Sequence, residues 1–173
     1  MKRYHVVVLL TVAMVLSMIA QVCAQGKSLK TYTDKTLKFT IQYPNGWKIE
    51  KEEGKGDRVY FASTESDTIV AVSVINAGKK IGSKEFLLEM EKKLNVKNLM
   101  DTKDRPFDEE ACQAVNVDEG YCGSYMMKQD GKDVFCMMNV FIKGTKVYFL
   151  MMSASVQDEL DKFEDILASF KAL

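Results

Sequence analysis

Histidine is nearly absent. The 173-residue chain holds one, His5, and it lies in an N-terminal stretch that reads as an export signal. Without histidine no Ser-His or Cys-His nucleophile can be assembled, and the histidine-based zinc sites of metallopeptidases and carbonic anhydrases are excluded. The Ser-x-x-Lys alternative is missing throughout. No glycine-rich loop follows a predicted strand to cradle phosphate, and no Cys-x-x-Cys pair offers thioredoxin-type redox chemistry. Charge of one sign is not in excess: Lys+Arg 24 balances Asp+Glu 24. That balance removes the basic footprint of a nucleic-acid binder. Catalysis is not expected.

What is present begins with the signal. Met1–His5 is a short basic segment, and Val6–Ala20 is apolar apart from Thr11 and Ser17. This stretch suits a signal-peptide core and falls short of the ~20 residues that cross a bilayer. Val22 and Ala24 occupy the −3 and −1 sites, so cleavage after Ala24 is expected, leaving a periplasmic or secreted protein. Lipoprotein processing at Cys23 is the rival, disfavoured because bulky Val22 stands where a small residue precedes a lipidated cysteine. From Gln25 onward, 149 residues remain, with 22 basic groups against 24 acidic ones. That length predicts one domain with its own core: residues 1–24 as signal, 25–35 as a flexible lead-in, and 36–173 as the domain.

Periodicity supplies the elements. Leu37, Phe39, Ile41 and Tyr43 alternate with polar residues as in a half-buried strand, and Pro44-Asn45-Gly46 makes a turn. Trp47 and Ile49 begin a second strand, followed by the charged loop Lys51–Arg58. Val59–Ser63 and Ile69–Asn76 read as strands. Ser83 is placed to cap a helix through Leu94. Pro106 argues against a helix in residues 95–110. Cys112–Val117, Tyr121–Gln129, Asp133–Lys143 and Lys146–Ser153 read as a strand series. A final helix opens at Ser155, with Asp158 as its capping partner and Val156, Leu160, Phe163, Leu167 and Phe170 along one face.

The hairpin turns Asp130-Gly131 and Gly144-Thr145 fix a register. Residue 126 then faces 135, 137 faces 152, and 138 faces 151. One sheet face carries Cys122, Met126, Phe135, Met137, Phe141, Tyr148, Leu150 and Met152. The other carries Tyr125, Met127, Val134, Cys136, Met138, Val140, Ile142, Phe149 and Met151. An antiparallel sheet exposed on one side alternates; these strands are apolar on both sides and need cover on both. The predicted fold is therefore α+β, an antiparallel sheet sandwiched between helices.

Three constellations could carry chemistry. Met127, Cys136, Met138 and Met151 share a face, and their soft sulfurs suit Cu(I); the same side chains also serve as adaptable core filler, which is the expectation. The cysteines after the signal are Cys112, Cys122 and Cys136. Cys122 and Cys136 fall on opposite faces, and Cys112 does not line up with Cys122, so neither pair meets disulfide geometry and buried free thiols are expected. Asp101, Asp104, Asp108, Glu109 and Glu110 form an acidic cluster without EF-hand spacing, read as a solvated loop. No catalytic, cofactor-binding or metal-ligating residue is assigned.

The run Phe39-x-Ile41-x-Tyr43-Pro44-x-Gly46-Trp47, the strand Val59–Phe61, and the ending Ile166-Leu167-Ala168-Ser169-Phe170 resemble the PsbP-like fold family. That family includes an extrinsic subunit of photosystem II, small periplasmic bacterial proteins and a nuclear-import factor that binds Ran. The resemblance implies an antiparallel sheet between helices, the α/β/α sandwich of that family, and non-catalytic accessory or binding roles. It transfers no ligand residue, since the matching positions are structural. Trp47 is expected to plug the sheet end beside its turn. The leading functional expectation is an exported, non-enzymatic binding or accessory protein that contacts another protein of the cell envelope. It uses no cofactor, no nucleic acid and no integral membrane domain after signal cleavage. Its recognition loops are expected at Lys51–Arg58 and Lys97–Glu110. The alternatives are a Cu(I) or thiol redox protein centred on Cys136 and a hydrolase built on paired carboxylates.

Overall fold

The central strands carry apolar side chains on both faces, and the rest of the chain is arranged to cover them. The computed structural model describes residues 28–52, 57–98, 105–129, 131–155 and 160–173. The signal, including Cys23, lies outside the described residues, as do Asp101, Asp104 and Val156–Glu159. Among the described residues no helix is long and apolar enough to cross a membrane.

Among the described residues, eight strands form the main sheet. β3 (Lys48–Glu52), β4 (Asp57–Ala62), β5 (Ile69–Asn76), β10 (Lys146–Ala154), β9 (Lys132–Lys143) and β8 (Glu119–Gln129) lie side by side. The short β6 (Lys97–Asn98) and β7 (Arg105–Pro106) both pair with the outer edge of β8. Every pairing in this sheet is antiparallel. The hairpin register is as expected: Met126 faces Phe135, Met137 faces Met152, and Met138 faces Met151. The chain is α+β.

A second, three-stranded sheet joins β1 (Leu29–Asp34), β2 (Phe39–Pro44) and β11 (Lys171–Ala172). The Pro44–Gly46 turn therefore does not close a hairpin; it carries the chain from the small sheet into the large one. Gly46 sits at φ 92°, a left-handed conformation that favours glycine. Residues 25–35, expected as a flexible lead-in, instead contain β1, paired along its length with β2 from Leu29↔Pro44 to Asp34↔Phe39. Its residues are largely exposed, so no hydrophobic alternation announced it.

One face of the main sheet meets the small sheet, α2 (Glu109–Val115) and α3 (Leu160–Ser169) in a core that includes Phe39, Ile41, Phe61, Phe141, Leu150, Phe163, Ile166 and Phe170. The other face meets α1 (Ser83–Leu94) through Phe86 and Leu87, packed on Tyr125, Cys136, Met138, Val140 and Phe149. The cover is thus helical on one side and mixed on the other. Residues 112–115 were expected in a strand but form α2. Asp108 caps that helix by accepting from the Ala111 N–H at 2.8 Å, and Glu109 and Glu110 occupy its first turn. Acids there suit the helix dipole. Ser83 does not cap α1: Gly82 holds that position, and the Ser83 N–H donates to Glu119 of β8.

Two polar groups in the core make measurable demands. Asn139 on β9 is fully buried, and among the described residues neither its Oδ1 nor its Nδ2 has a hydrogen-bond partner. Such orphaned groups cost about 1–3 kcal/mol, so Asn139→Leu is expected to raise stability by about 1 kcal/mol or more, read as a higher urea midpoint. A lower midpoint would show that the amide is satisfied in solution. Asp34, at 5% exposure, joins the two sheets. Its Oδ2 accepts from Lys51 of β3 at 3.0 Å and from Tyr32 at 3.1 Å, while Oδ1 accepts from the Leu37 N–H at 2.8 Å and the Thr36 N–H at 2.9 Å. Burial alone would raise this carboxyl, but the bonds from Leu37, Lys51, Tyr32 and Thr36 outweigh it and hold it below the ordinary value. Burial and Asp34 together push the Tyr32 hydroxyl up to about 12. A depressed carboxylate stabilises the fold above its unfolded value of ~3.9 and loses that contribution as pH falls through the lower, folded value. Asp34→Asn should therefore be less stable at pH 7 and show a shallower loss of stability on acidification than the parent. Parallel acid slopes in urea melts at pH 7 and pH 3 would refute the assignment.

Candidate functional site

On the α1 side, the main sheet is wider than its cover. A helix about 10–12 Å across spans roughly two strand spacings of 4.8 Å, and α1 contacts β8 and β9. Beyond those strands the cover thins toward the sheet edge: on this face Ala71 and Ser73 of β5 are buried, Tyr60 of β4 is half-buried and Arg58 exposed, and all of β3 is exposed. Lys48, Glu50 and Glu52 of β3 are exposed, and Arg58 and Tyr60 of β4 follow them inward.

A groove forms where cover ends. Register places Arg58 opposite Ser73 and Ser73 opposite Phe149, while Tyr60 faces Ala71 and Ala71 faces Met151. Each row therefore has a small residue between two large ones. Met90 and Leu94, four residues apart and so on one flank of α1, overhang the dip. The result is a cavity of about 120 Å³ lined by Arg58, Tyr60, Ala71, Ser73, Met90, Leu94, Phe149 and Met151. Its wall holds a half-exposed cation, Arg58. Arg58 Nε donates to Ser73 Oγ at 2.9 Å, and Nη1 donates to the Tyr60 hydroxyl at 3.0 Å. The guanidinium lies 5.9 Å from the Tyr60 ring centroid. Glu52 Oε2 stands 3.7 Å from Nη1 and accepts from the Tyr60 hydroxyl at 3.3 Å.

The sulfur cluster lies next to this groove but mostly beneath α1. Met127, Cys136, Met138 and Met151 do share a face, with Met138 directly opposite Met151. Cys136 is 2% exposed and Met138 fully buried. Burial pushes the Cys136 thiol up to about 12. A soft-metal ligand is a thiolate, so the geometry favours packing over coordination. None of Cys112, Cys122 and Cys136 is in a disulfide; Cys112 and Cys136 are buried and Cys122 is half-buried. Trp47 is half-buried against the core beneath the small sheet.

The expected recognition loops divide differently. Lys51, Glu52, Asp57 and Arg58 are strand ends of the β3–β4 hairpin, and its tip, 53–56, lies outside the described residues. The acidic cluster resolves at Asp108–Glu110 into a helix cap and first turn. Paired carboxylates do occur in a second concavity, about 600 Å³, along the outer flank of α1, where Glu85 and Glu89 lie with Gly82, Lys84, Leu88 and Lys92. Glu89 is bound to Lys93 at 2.7 Å, which holds its carboxyl below the ordinary value. That is the opposite of the shift a general acid needs, so Glu89 is not placed for that role.

The sequence model of the PsbP family matches residues 27–172. Among solved structures, the chain is similar to the solution structure of cyanobacterial PsbP (CyanoP) from Synechocystis sp. PCC 6803. The TM-score is 0.63 at 18% identity, covering 87% of this chain and 95% of that one. It is also similar to a crystal structure from Bacteroides thetaiotaomicron, with TM-score 0.55 and 12% identity, covering 83% of this chain and 48% of that one. At these identities the likeness is one of fold. No curated protein matches.

Thiol labelling separates packing from chemistry. With maleimide on the folded protein, Cys122 should react first and Cys136 should stay unlabelled until unfolding, as read by peptide mass spectrometry. Prompt native-state labelling of Cys136 would reopen the soft-metal and redox reading.

Proposed function

We propose that this chain, which belongs to the PsbP family, is an exported, non-enzymatic accessory protein that works by holding another protein of the cell envelope. The groove between α1 and β4–β5–β10 is its contact surface. The observation that carries the reading is the size and make-up of that groove. Sites for whole small molecules run to about 300–1,000 Å³, whereas this cavity, near 120 Å³, suits one side chain. A pocket of that size, apolar on three sides and with an arginine at its wall, matches the anchor pockets on which protein interfaces concentrate their energy. Export is supported by the signal read in residues 1–24, whose cleavage after Ala24 leaves a periplasmic or secreted protein. The PsbP-like fold supports an accessory role, and no cofactor enters this reading.

Photo-crosslinking in the native envelope tests it. Benzoylphenylalanine placed at position 60 or 94 should give one discrete adduct, while the same probe at exposed Thr33 on β1 should give none. Equal labelling from both faces, or no adduct from the groove, would refute the proposal.

A further inference from the structure

The groove's chemistry specifies more than a protein partner. Met90, Leu94, Phe149 and Met151 over Ala71 form an apolar socket, and Arg58 stands in its wall. The guanidinium, on a side chain 47% exposed, donates to Ser73, itself 8% exposed, and to Tyr60, and these bonds orient it toward the socket wall. Its acidic neighbour fits poorly. Charge-assisted N–H···O bonds run about 2.7–2.9 Å, and Glu52 stops at 3.7 Å. An apolar side chain entering alone would strip water from Arg58 and leave it with that long contact, a costly desolvation. A carboxylate arriving on the same segment removes the cost.

We infer that the groove recognises an apolar–acidic pair in a partner polypeptide. A Leu- or Met-sized side chain seats between Met90, Leu94 and Met151, and the carboxylate of the adjoining Asp or Glu displaces Glu52 from Arg58. Glu52 is then a built-in competitor that occupies the anion position in the unbound protein. This inference rests on the groove being a protein-contact surface, and it assigns that surface a sequence preference.

Methyl-labelled methionine gives a local readout, because Met90 and Met151 line the socket while Met152 is buried in the core on the opposite face. Blocked hexapeptides Gly-Ser-Leu-Glu-Ser-Gly, the same with Leu-Gln, and the same with Ala-Glu are titrated into the purified chain. The Leu-Glu peptide should move the Met90 and Met151 methyl signals and leave Met152 unmoved, with the other two peptides weaker by about tenfold or more. Arg58→Gln should weaken the Leu-Glu peptide by about tenfold, with Arg58→Lys between it and the parent because it keeps charge but loses the fork. Glu52→Gln should tighten binding by roughly threefold, a gain that loss of structure cannot imitate. Equal affinity for Leu-Gln, weaker binding by Glu52→Gln, or unmoved Met90 and Met151 signals would overturn the inference. If position 60 still cross-links a partner in that event, the contact surface stands and only its sequence preference falls; if it does not, both fall.

Discussion

Strands β8, β9 and β10 bear apolar side chains on both faces, and no single layer can satisfy them. Every other element answers that demand. On one side the answer converges on Phe170, which follows α3. Its ring stacks on Phe141 of β9 at 5.3 Å and 9°, lies 6.1 Å from Phe39 of β2, and meets Tyr148 of β10 edge-on at 5.6 Å. One side chain thus joins the last helix, the small sheet and the large sheet. Truncating such a ring typically costs about 3–5 kcal/mol, a large part of a domain's whole stability. Polar bonds fix the alignment that the rings favour: the Tyr148 hydroxyl donates to the Lys38 carbonyl at 3.1 Å, and the Leu173 N–H donates to the same carbonyl at 2.8 Å.

On the other side, among the described residues, a single helix does the covering, and its placement decides where the groove falls. Gly123 of β8 has no side chain, and the Tyr125 ring lies across that space: a Cβ at position 123 would collide with it. The Tyr125 hydroxyl then donates to Glu91 on α1. With Phe86 against Phe149 of β10 at 5.9 Å, these contacts hold α1 over β8, β9 and β10. The β3–β4 side is left open, with Ala71 and Ser73 of β5 buried at its margin, and Met90 and Leu94 become an overhang instead of a lid. A bulkier residue in place of Ala71 would fill the dip, so the cavity depends on small residues as well as on the helix's position.

Legibility followed the range of the interactions. The two-residue turns at Asp130-Gly131 and Gly144-Thr145 are local, so the register of β8, β9 and β10 and the composition of both faces could be read from neighbouring residues. β1 could not: its partners begin at Leu29↔Pro44, and its exposed side chains leave no alternation. α2 was hidden for a different reason. Seven residues make fewer than two turns, too short for a helical stripe, and the Asp108 cap was masked by the acids around it. The Arg58 groove needs three strands aligned across residues 58, 73 and 149, plus a helix at 90 and 94. Nothing local in the charged run ending at Arg58 distinguishes a socket wall from a solvated loop.

The open edge beside the groove bears on the proposed contact surface. β3 ends the main sheet, and all five of its residues are exposed. An unpaired edge invites another strand, and charged side chains are the usual deterrent. Lys48, Glu50, Lys51 and Glu52 supply them, leaving Ile49 as the one apolar residue of the strand. Moreover, Lys51 is turned toward Asp34 and the small sheet, so extending β3 with a foreign strand would crowd the contact that ties the two sheets together. Strand addition at β3 is thus discouraged by charge and by the inter-sheet tie. Under the proposed binding role, recognition would fall instead to the side chains that rise from β4, β5 and β10. That is the face on which the chain combines a hydrogen-bonded cation with an apolar socket.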